Sequence, residues 1–138
     1  MVRVGYRVDV CSQDLNAVGE FFVKLLSTCW AMVACDGSNL ECADKVLKAM
    51  CISSGGDCVV FKCRGFTLVF VRRDVIAEML KLPRRTADRL VYVMLKDFTS
   101  NCCFRHEAYM AKTETIEEAA RGMVEDFLRE CCLETTAM

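Results

Sequence analysis

The sequence has little of what most enzymes carry in their active sites. It contains one histidine, His106, and one proline in 138 residues. Gly55 and Gly56 precede a predicted strand, so no helix N-terminus is available there to hold a phosphate. Cys103 and His106 would share one helical turn if this stretch were helical, but a thiol enzyme also needs an oxyanion donor in a recognisable pattern. We therefore predict that the protein is not an enzyme.

The sequence also lacks a strong net charge of either sign and an uninterrupted apolar run long enough to span a membrane. The net charge of −1 gives no field that would attract nucleic acid, and a neutral, apolar chain should tend to self-associate. The longest apolar stretch, Leu15–Cys35, contains Glu20 and Lys24, so we predict a buried amphipathic helix and not a membrane span. Charges within residues 1–10 occupy the place of a signal-peptide core, which predicts an intracellular protein.

Cysteine is the residue that the sequence has in excess. An odd number of cysteines without a secretion signal argues against a disulfide framework and for a reducing compartment. Zinc sites usually contain two ligands separated by about two to four residues, and no C-x-x-C pair occurs. We therefore predict no metal, no cofactor and cysteines that act mainly as small core side chains, with a cysteine-liganded metal protein as an open alternative. The eleven cysteines are Cys11, Cys29, Cys35, Cys42, Cys51, Cys58, Cys63, Cys102, Cys103, Cys131 and Cys132.

Hydrophobic periodicity divides the N-terminal half into one strand and two helices. Residues 2–10 alternate between apolar and polar side chains, which is typical of a half-buried strand. From Leu15 onward, apolar residues recur at spacings of three and four after the capping residue Asp14, which predicts a long helix that ends near residues 36–38. A second helix is predicted over Leu40–Met50, before a loop at residues 53–57.

The central part of the chain predicts a hairpin, a helix and a strand. Residues 59–63 and 66–71 alternate on either side of an Arg64–Gly65 turn. A helix follows over Val75–Leu82, where Pro83 interrupts it. Residues 90–96 are β-branched and aromatic enough to form a further strand.

The charge changes sign between the middle and the C-terminal part of the chain. Residues 62–96 contain nine bases and three acids, whereas residues from 107 onward contain eight acids and three bases. Thr115 and Glu118 form a capping-box pattern at the start of a helix with an apolar stripe. This acidic helix could dock on the basic middle within one chain or between chains, and a solvated charged face explains each pattern equally well.

These elements predict one α+β domain over residues 1–138. Without the inserted second helix, their order is β-α-β-β-α-β, the arrangement of ferredoxin-like folds. We predict a four-stranded antiparallel sheet with helices on one face. Residues 107–138 would add an acidic, helical C-terminal extension.

One segment resembles the third-strand signature of RNA-recognition motifs. Residues 64–71 carry a basic residue, a glycine, an aromatic residue and alternating apolar positions, although Leu68 stands where a second stacking ring is expected. The resemblance implies a single-stranded RNA-binding module, which we keep as the alternative function. Because binding to RNA depends on phosphate neutralisation, the near-neutral charge disfavours it. The contacts would come from Tyr6, Phe66, Arg72, Arg73, Arg84 and Arg85.

A longer block is similar to another family. It comprises the start Met1–Arg3, the strand opening Gly65–Leu68, the helix opening Asp74–Val75 and the apolar strand Leu90–Phe98. This pattern resembles the adenovirus early-region-four proteins of the third reading frame, which form nuclear tracks in infected cells. The resemblance covers about half of the chain and consists of spaced apolar and glycine positions.

The resemblance implies a non-enzymatic viral early protein of the host nucleus. Members of the family form dimers that join into a branching polymer. This network captures host nuclear proteins through many weak sites, among them nuclear-body components, antiviral tripartite-motif proteins and DNA-damage-response factors. For this chain the resemblance implies a homo-oligomer with an assembly interface at Asp88, Leu90 and Tyr92. The family exchanges a C-terminal strand between dimers, whereas this chain is predicted to have a helix from Ile116.

A third hypothesis is an all-helical viral inhibitor of apoptosis. Much of the chain can be written as apolar helices, so the periodicity alone does not exclude it.

Overall fold

The computed structural model describes residues 6–36, 40–55, 59–96 and 102–133, which form one mixed α+β domain. Its strands are β1 (Tyr6–Asp9), β2 (Trp30–Asp36), β3 (Val59–Cys63), β4 (Phe66–Arg72), β5 (Leu90–Lys96) and β6 (Arg105–Met110). Its helices are α1 (Leu15–Leu26), α2 (Leu40–Ser53), α3 (Arg73–Met79), α4 (Arg84–Ala87) and α5 (Ile116–Leu128), together with a 3-10 turn, Val10–Ser12, and a π-helical segment, Arg129–Leu133. None of the helices in these ranges is long and apolar enough to span a membrane.

The six strands form one mixed sheet with the order β1-β3-β4-β2-β5-β6. β1 is parallel to β3 and β2 is parallel to β5, whereas the other neighbouring strands are antiparallel. The register places Val33 of β2 between Val69 of β4 and Val93 of β5. The central strands are therefore β4 and β2, and the outer strands are β1 and β6.

Helices cover both faces of the sheet. On one face, α1 and α5 contribute Phe22 and Phe127 to a core that includes Met32 of β2. On the other face, α2 contributes Leu47 to a second core that includes Val33 of β2. A strand that is apolar on both faces needs a covering layer on each. This arrangement corrects the prediction of helices on one face only.

The predicted long first helix is wrong, because α1 ends at Leu26 and the chain enters the sheet as β2. Cys29 and Met32 continue the helical spacing of apolar residues, which misled the prediction. A strand that is buried on both faces is apolar at every position and shows no alternation. Residues 31–35 are all fully buried.

Strand β6 was not predicted either. It is mostly polar and exposed, so its sequence contains no apolar run that marks a strand. With β2 and β6 present, the predicted four-stranded ferredoxin-like order is not confirmed, because the sheet has six strands and β2 is parallel to β5. The acidic C-terminal part begins inside β6 and continues into α5.

Several local predictions are confirmed. The β3–β4 hairpin turns at Arg64–Gly65, where Arg64 has a φ of 51°. The Thr115 hydroxyl accepts a hydrogen bond from the Glu118 amide, and the Glu118 carboxylate accepts one from the Thr115 amide. Residues 2–5 of the predicted first strand lie outside the described residues. The sheet shows that the all-helical hypothesis is wrong.

Disulfide bonds join distant parts of the described chain. They connect Cys11 to Cys132, Cys42 to Cys102 and Cys63 to Cys131, over sequence separations of 121, 60 and 68 residues. The prediction against disulfides is therefore wrong for these six cysteines. Local spacing carries no information about sulfurs that the tertiary fold brings together, which explains the error.

Candidate functional site

The three residues predicted for the assembly interface do not share a surface. Asp88 is exposed at the end of α4, and Leu90 is fully buried in the core on the α2 side. Tyr92 is half-buried on the α5 side, where its ring lies 5.8 Å from that of Phe127 between centroids. A β-bulge between Leu90 and Tyr92 explains why residues two apart have opposite surroundings. Of these three residues Asp88 is exposed, Tyr92 is partly accessible and Leu90 is not accessible to a partner.

The aromatic residues predicted to stack on RNA bases are not available on an open sheet. Phe66 packs against Phe127 of α5, with 5.6 Å between ring centroids. Helix α5 therefore occupies the face on which bases would stack. The side chain of Tyr6 lies outside the described residues.

The arginines predicted to contact RNA have different surroundings. Arg72 forms an exposed ion pair with Asp74 at 2.8 Å, and Arg73 is directed to backbone carbonyls. Arg84 and Arg85 are exposed on α4. Arg72, Arg73 and Arg84 line one cavity along α3 and α4, whereas Phe66 lies under α5 and does not belong to that surface.

Arg73 has a structural role that sequence reasoning missed. Its guanidinium group donates hydrogen bonds of 2.7 to 3.0 Å to the carbonyl oxygens of Leu26, Thr28, Trp30 and Leu90. These oxygens lie at the end of α1, in the turn after it, and at the starts of β2 and β5. Burial lowers the pKa of Arg73 from its ordinary value, and the fixed fork of a guanidinium suits several acceptors at once. One side chain thus ties three elements together.

A basic patch lies at the junction of α3 and α4. We define it as Lys81, Arg84 and Arg85, which are all exposed and form no ion pair with another described residue. Met79, at the end of α3, is 44% exposed beside it. Leu82 packs into the core on the α2 side, which places the patch on that side of the sheet.

An acidic patch lies on the opposite side of the sheet, on α5 and the π-helical segment. Between residues 116 and 133, five acids stand against two bases, which leaves three excess negative charges. We define the acidic patch as Glu125, Asp126 and Glu130. Arg129 pairs with Asp126 at 3.2 Å and Glu125 at 3.5 Å, whereas Glu130 forms no ion pair within the described ranges.

An open groove of about 440 Å³ lies beside the acidic patch, between β6 and α5. Tyr109, which is 41% exposed, lines it on the β6 side. Burial raises the pKa of the Tyr92 hydroxyl, so this residue stays neutral in the groove. An apolar lining beside acidic residues suits a basic partner with an apolar side chain. The apolar lining comprises Tyr92, Met94, Met123 and Phe127.

A second, wider cavity of about 900 Å³ lies along α3 and α4, and its lining includes Cys29, Arg73 and Asp88. The single histidine lies elsewhere, exposed in strand β6. The stretch with Cys103 and His106 is not helical, so these two residues do not lie on one helical turn. Since His106 is the only histidine in the sequence and does not line this cavity, Cys29 has no imidazole neighbour that could act as its base.

Among the described residues, one group could hold a metal ion. The Sγ atoms of Cys11, Cys63, Cys131 and Cys132 all lie within 4.8 Å of one another. We call this group the four-sulfur cluster. Its sequence signals were the number of cysteines and the adjacent Cys131–Cys132 pair, but no local spacing indicated which cysteines would meet.

Comparisons with known protein families, with curated proteins and with solved structures find no match to this chain.

Proposed function

We propose that this protein is a non-enzymatic viral early accessory protein that self-associates and retains host nuclear proteins on the resulting assembly. The observation that carries self-association is the placement of the basic and acidic patches on opposite sides of the sheet. Because the sheet separates them, the basic patch of one copy cannot reach the acidic patch of the same copy, where Arg129 already pairs with Glu125 and Asp126. The basic patch can reach the acidic patch of a second copy.

The two patches are opposite in charge, and each has apolar surface beside it. Lys81, Arg84 and Arg85 form no ion pair with any residue that the structure describes, and Met79 is exposed beside them. The groove beside the acidic patch offers an apolar lining for a methionine and carboxylates for the bases. The net charge of −1 adds little repulsion between copies.

A contact between two different patches is heterologous, so an open chain of copies keeps one free basic patch at one end and one free acidic patch at the other. Such head-to-tail contacts give rings or open filaments. Exposed ion pairs contribute only about 0.2–1 kcal/mol each, and association itself costs several kcal/mol, so a single contact is weak. The assembly therefore depends on concentration and on salt.

Retention of host nuclear proteins follows from the resemblance of residues 65–98 to the adenovirus family, not from a site in this structure. The physical reason is avidity, because many weak sites on one assembly retain partners that a single copy would release. The nuclear partners implied are nuclear-body components, antiviral factors and DNA-damage-response factors.

Light scattering after size-exclusion chromatography, over a range of concentrations and salt, tests the self-association. We expect a mass that rises above 15.6 kDa with concentration at low salt and returns toward the monomer at high salt. The double variant Arg84→Glu and Arg85→Glu should stay monomeric. The double variant Glu125→Lys and Asp126→Lys should do the same.

Mixing these two charge-reversed proteins provides the decisive test. Each reversed patch then meets a complementary patch, so the mixture should assemble although neither protein does so alone. Lys24→Glu, an exposed charge reversal on α1, is the matched control and should assemble like the unchanged protein. A strict monomer at every concentration and low salt would overturn the proposal.

Two further measurements separate the functional alternatives. Fluorescently tagged protein should form nuclear foci or tracks that the Arg84→Glu and Arg85→Glu double variant loses. Titration with short single-stranded RNA at low salt should show no binding. Saturable RNA binding that these arginine changes abolish would favour the RNA-binding alternative instead.

A further inference from the structure

We propose that the four-sulfur cluster of Cys11, Cys63, Cys131 and Cys132 is a metal site that holds one zinc ion when its cysteines are reduced. This inference does not depend on self-association. The cluster shares the π-helical segment with Glu130 of the acidic patch, but its sulfurs also come from Cys11, after β1, and from Cys63, at the end of β3.

Three of the four distances between sulfurs that are not bonded to each other match the edge of a tetrahedral zinc site. The Sγ atoms of Cys11 and Cys63 are 3.9 Å apart, those of Cys63 and Cys132 are 3.6 Å apart, and those of Cys131 and Cys132 are 3.8 Å apart. The fourth pair, Cys11 and Cys131, lies within 4.8 Å, and the two bonded pairs, Cys11–Cys132 and Cys63–Cys131, must separate on reduction to complete the tetrahedron. A tetrahedron with edges of about 3.8 Å places its centre about 2.3 Å from each corner, which is the length of a Zn–S bond. Soft thiolates in this geometry select zinc over magnesium or calcium.

Three separate elements bring the sulfurs together. Cys11 lies in the 3-10 turn after β1, Cys63 is the last residue of β3, and Cys131 and Cys132 lie in the π-helical segment after α5. A π-helical turn is rare and occurs frequently at functional sites. Here two adjacent residues of the π-helical segment both contribute a sulfur to the cluster. In zinc sites of the usual spacing, two ligands from one segment are separated by intervening residues.

Burial makes the cluster a closed site of the structural kind. Cys63 and Cys131 are 0% and 1% exposed, and Cys11 and Cys132 are partly buried around them. Four protein ligands leave no position for a substrate, so the ion would act on stability and not on chemistry. Since the ligands are separated by up to 121 residues, one ion would tie β1, β3 and α5 together.

The disulfide-bonded and zinc-bound forms exchange through a balanced reaction. The bonds Cys11–Cys132 and Cys63–Cys131 are each reduced by one dithiol molecule, which leaves as its own disulfide. The four cysteine thiols that result then bind one Zn²⁺ as thiolates and release four protons. In a reducing compartment the zinc-bound form would therefore replace the two disulfides.

Metal analysis of the full chain, purified under a dithiol reductant with zinc supplied, tests the site. We expect about one zinc ion per chain. Replacement of zinc by Co²⁺ should give the intense visible bands of a tetrahedral cobalt thiolate. Chelation under the same reducing conditions should lower the midpoint of thermal unfolding, whereas the chelator should leave the oxidised protein unchanged.

Variants distinguish this cluster from the remaining cysteines. Cys63→Ser and Cys132→Ser should lose the bound zinc, whereas Cys132→His keeps a zinc ligand and should retain it. Cys29→Ser changes an exposed cysteine outside the cluster and should bind zinc normally. Reduced protein that is folded by circular dichroism but holds no zinc and shows no tetrahedral cobalt spectrum would overturn the proposal. So would zinc binding that Cys63→Ser and Cys132→Ser leave intact.

Discussion

At the scale of single residues, the Arg73 side chain donates hydrogen bonds to four backbone carbonyl oxygens. Arg73→Lys keeps the positive charge but replaces a planar fork by a single ammonium group, which cannot reach four carbonyl oxygens in three elements. We expect the free energy of unfolding to fall by about 2–3 kcal/mol, because hydrogen bonds to charged groups are lost and partly buried acceptors remain. Urea denaturation followed by circular dichroism measures this loss.

The neighbouring Arg72 provides the matched control for Arg73. Its side chain is exposed and makes one surface ion pair, with Asp74. Arg72→Lys should therefore change the free energy of unfolding by no more than about 0.5 kcal/mol. Equal losses for the two substitutions would contradict the role assigned to Arg73.

The features of the site differ in how far the sequence alone can predict them. The Thr115–Glu118 capping box was predictable, because its partners are three residues apart and its chemistry is local. The contacts of Arg73 and the four-sulfur cluster were not, since their partners lie up to 47 and 121 residues away. The exposed Met79 beside the basic patch could not be foreseen either, because exposure is a property of packing.

At the scale of elements, the stability of α5 determines whether the acidic patch and two cysteines of the cluster are held in place. Thr115→Ala removes the side-chain acceptor of the capping box and should cost about 1 kcal/mol of unfolding free energy. Thr115→Ser keeps the hydroxyl and should remain within a few tenths of a kcal/mol of the unchanged protein. Thermal denaturation compares the three proteins, and an equal loss for both substitutions would contradict the capping role.

Element prediction succeeded where a helical period, a turn or a β-branched and aromatic composition marks the element. Helices α2 and α5 repeat with a helical period, the Arg64–Gly65 turn marks the hairpin β3–β4, and the composition of residues 90–96 marks β5, although β4 and β5 are buried on both faces. β2 is apolar on both faces and β6 is polar on both, so neither carries the period-two signal. Without these two strands, the order of the sheet could not be derived.

At the scale of the whole molecule, β2 and β4 join the two cores into one structure. Met32 and Phe70 belong to the core under α1 and α5, whereas Val33 and Val69 belong to the core under α2. Loss of packing on one face therefore disturbs strands that also support the other face. Two cores that share their central strands should unfold together, not as separate units.

Two core truncations test this cooperativity. Phe22→Ala opens the core under α1, and Leu47→Ala opens the core under α2; both side chains are fully buried. Each should lower the free energy of unfolding by about 3–4 kcal/mol. In every variant, the fluorescence of Trp30 and the far-ultraviolet circular dichroism should report one coincident urea transition. Two transitions for Leu47→Ala, with the Trp30 signal retained while helix is lost, would contradict this prediction. The two cores would then unfold independently.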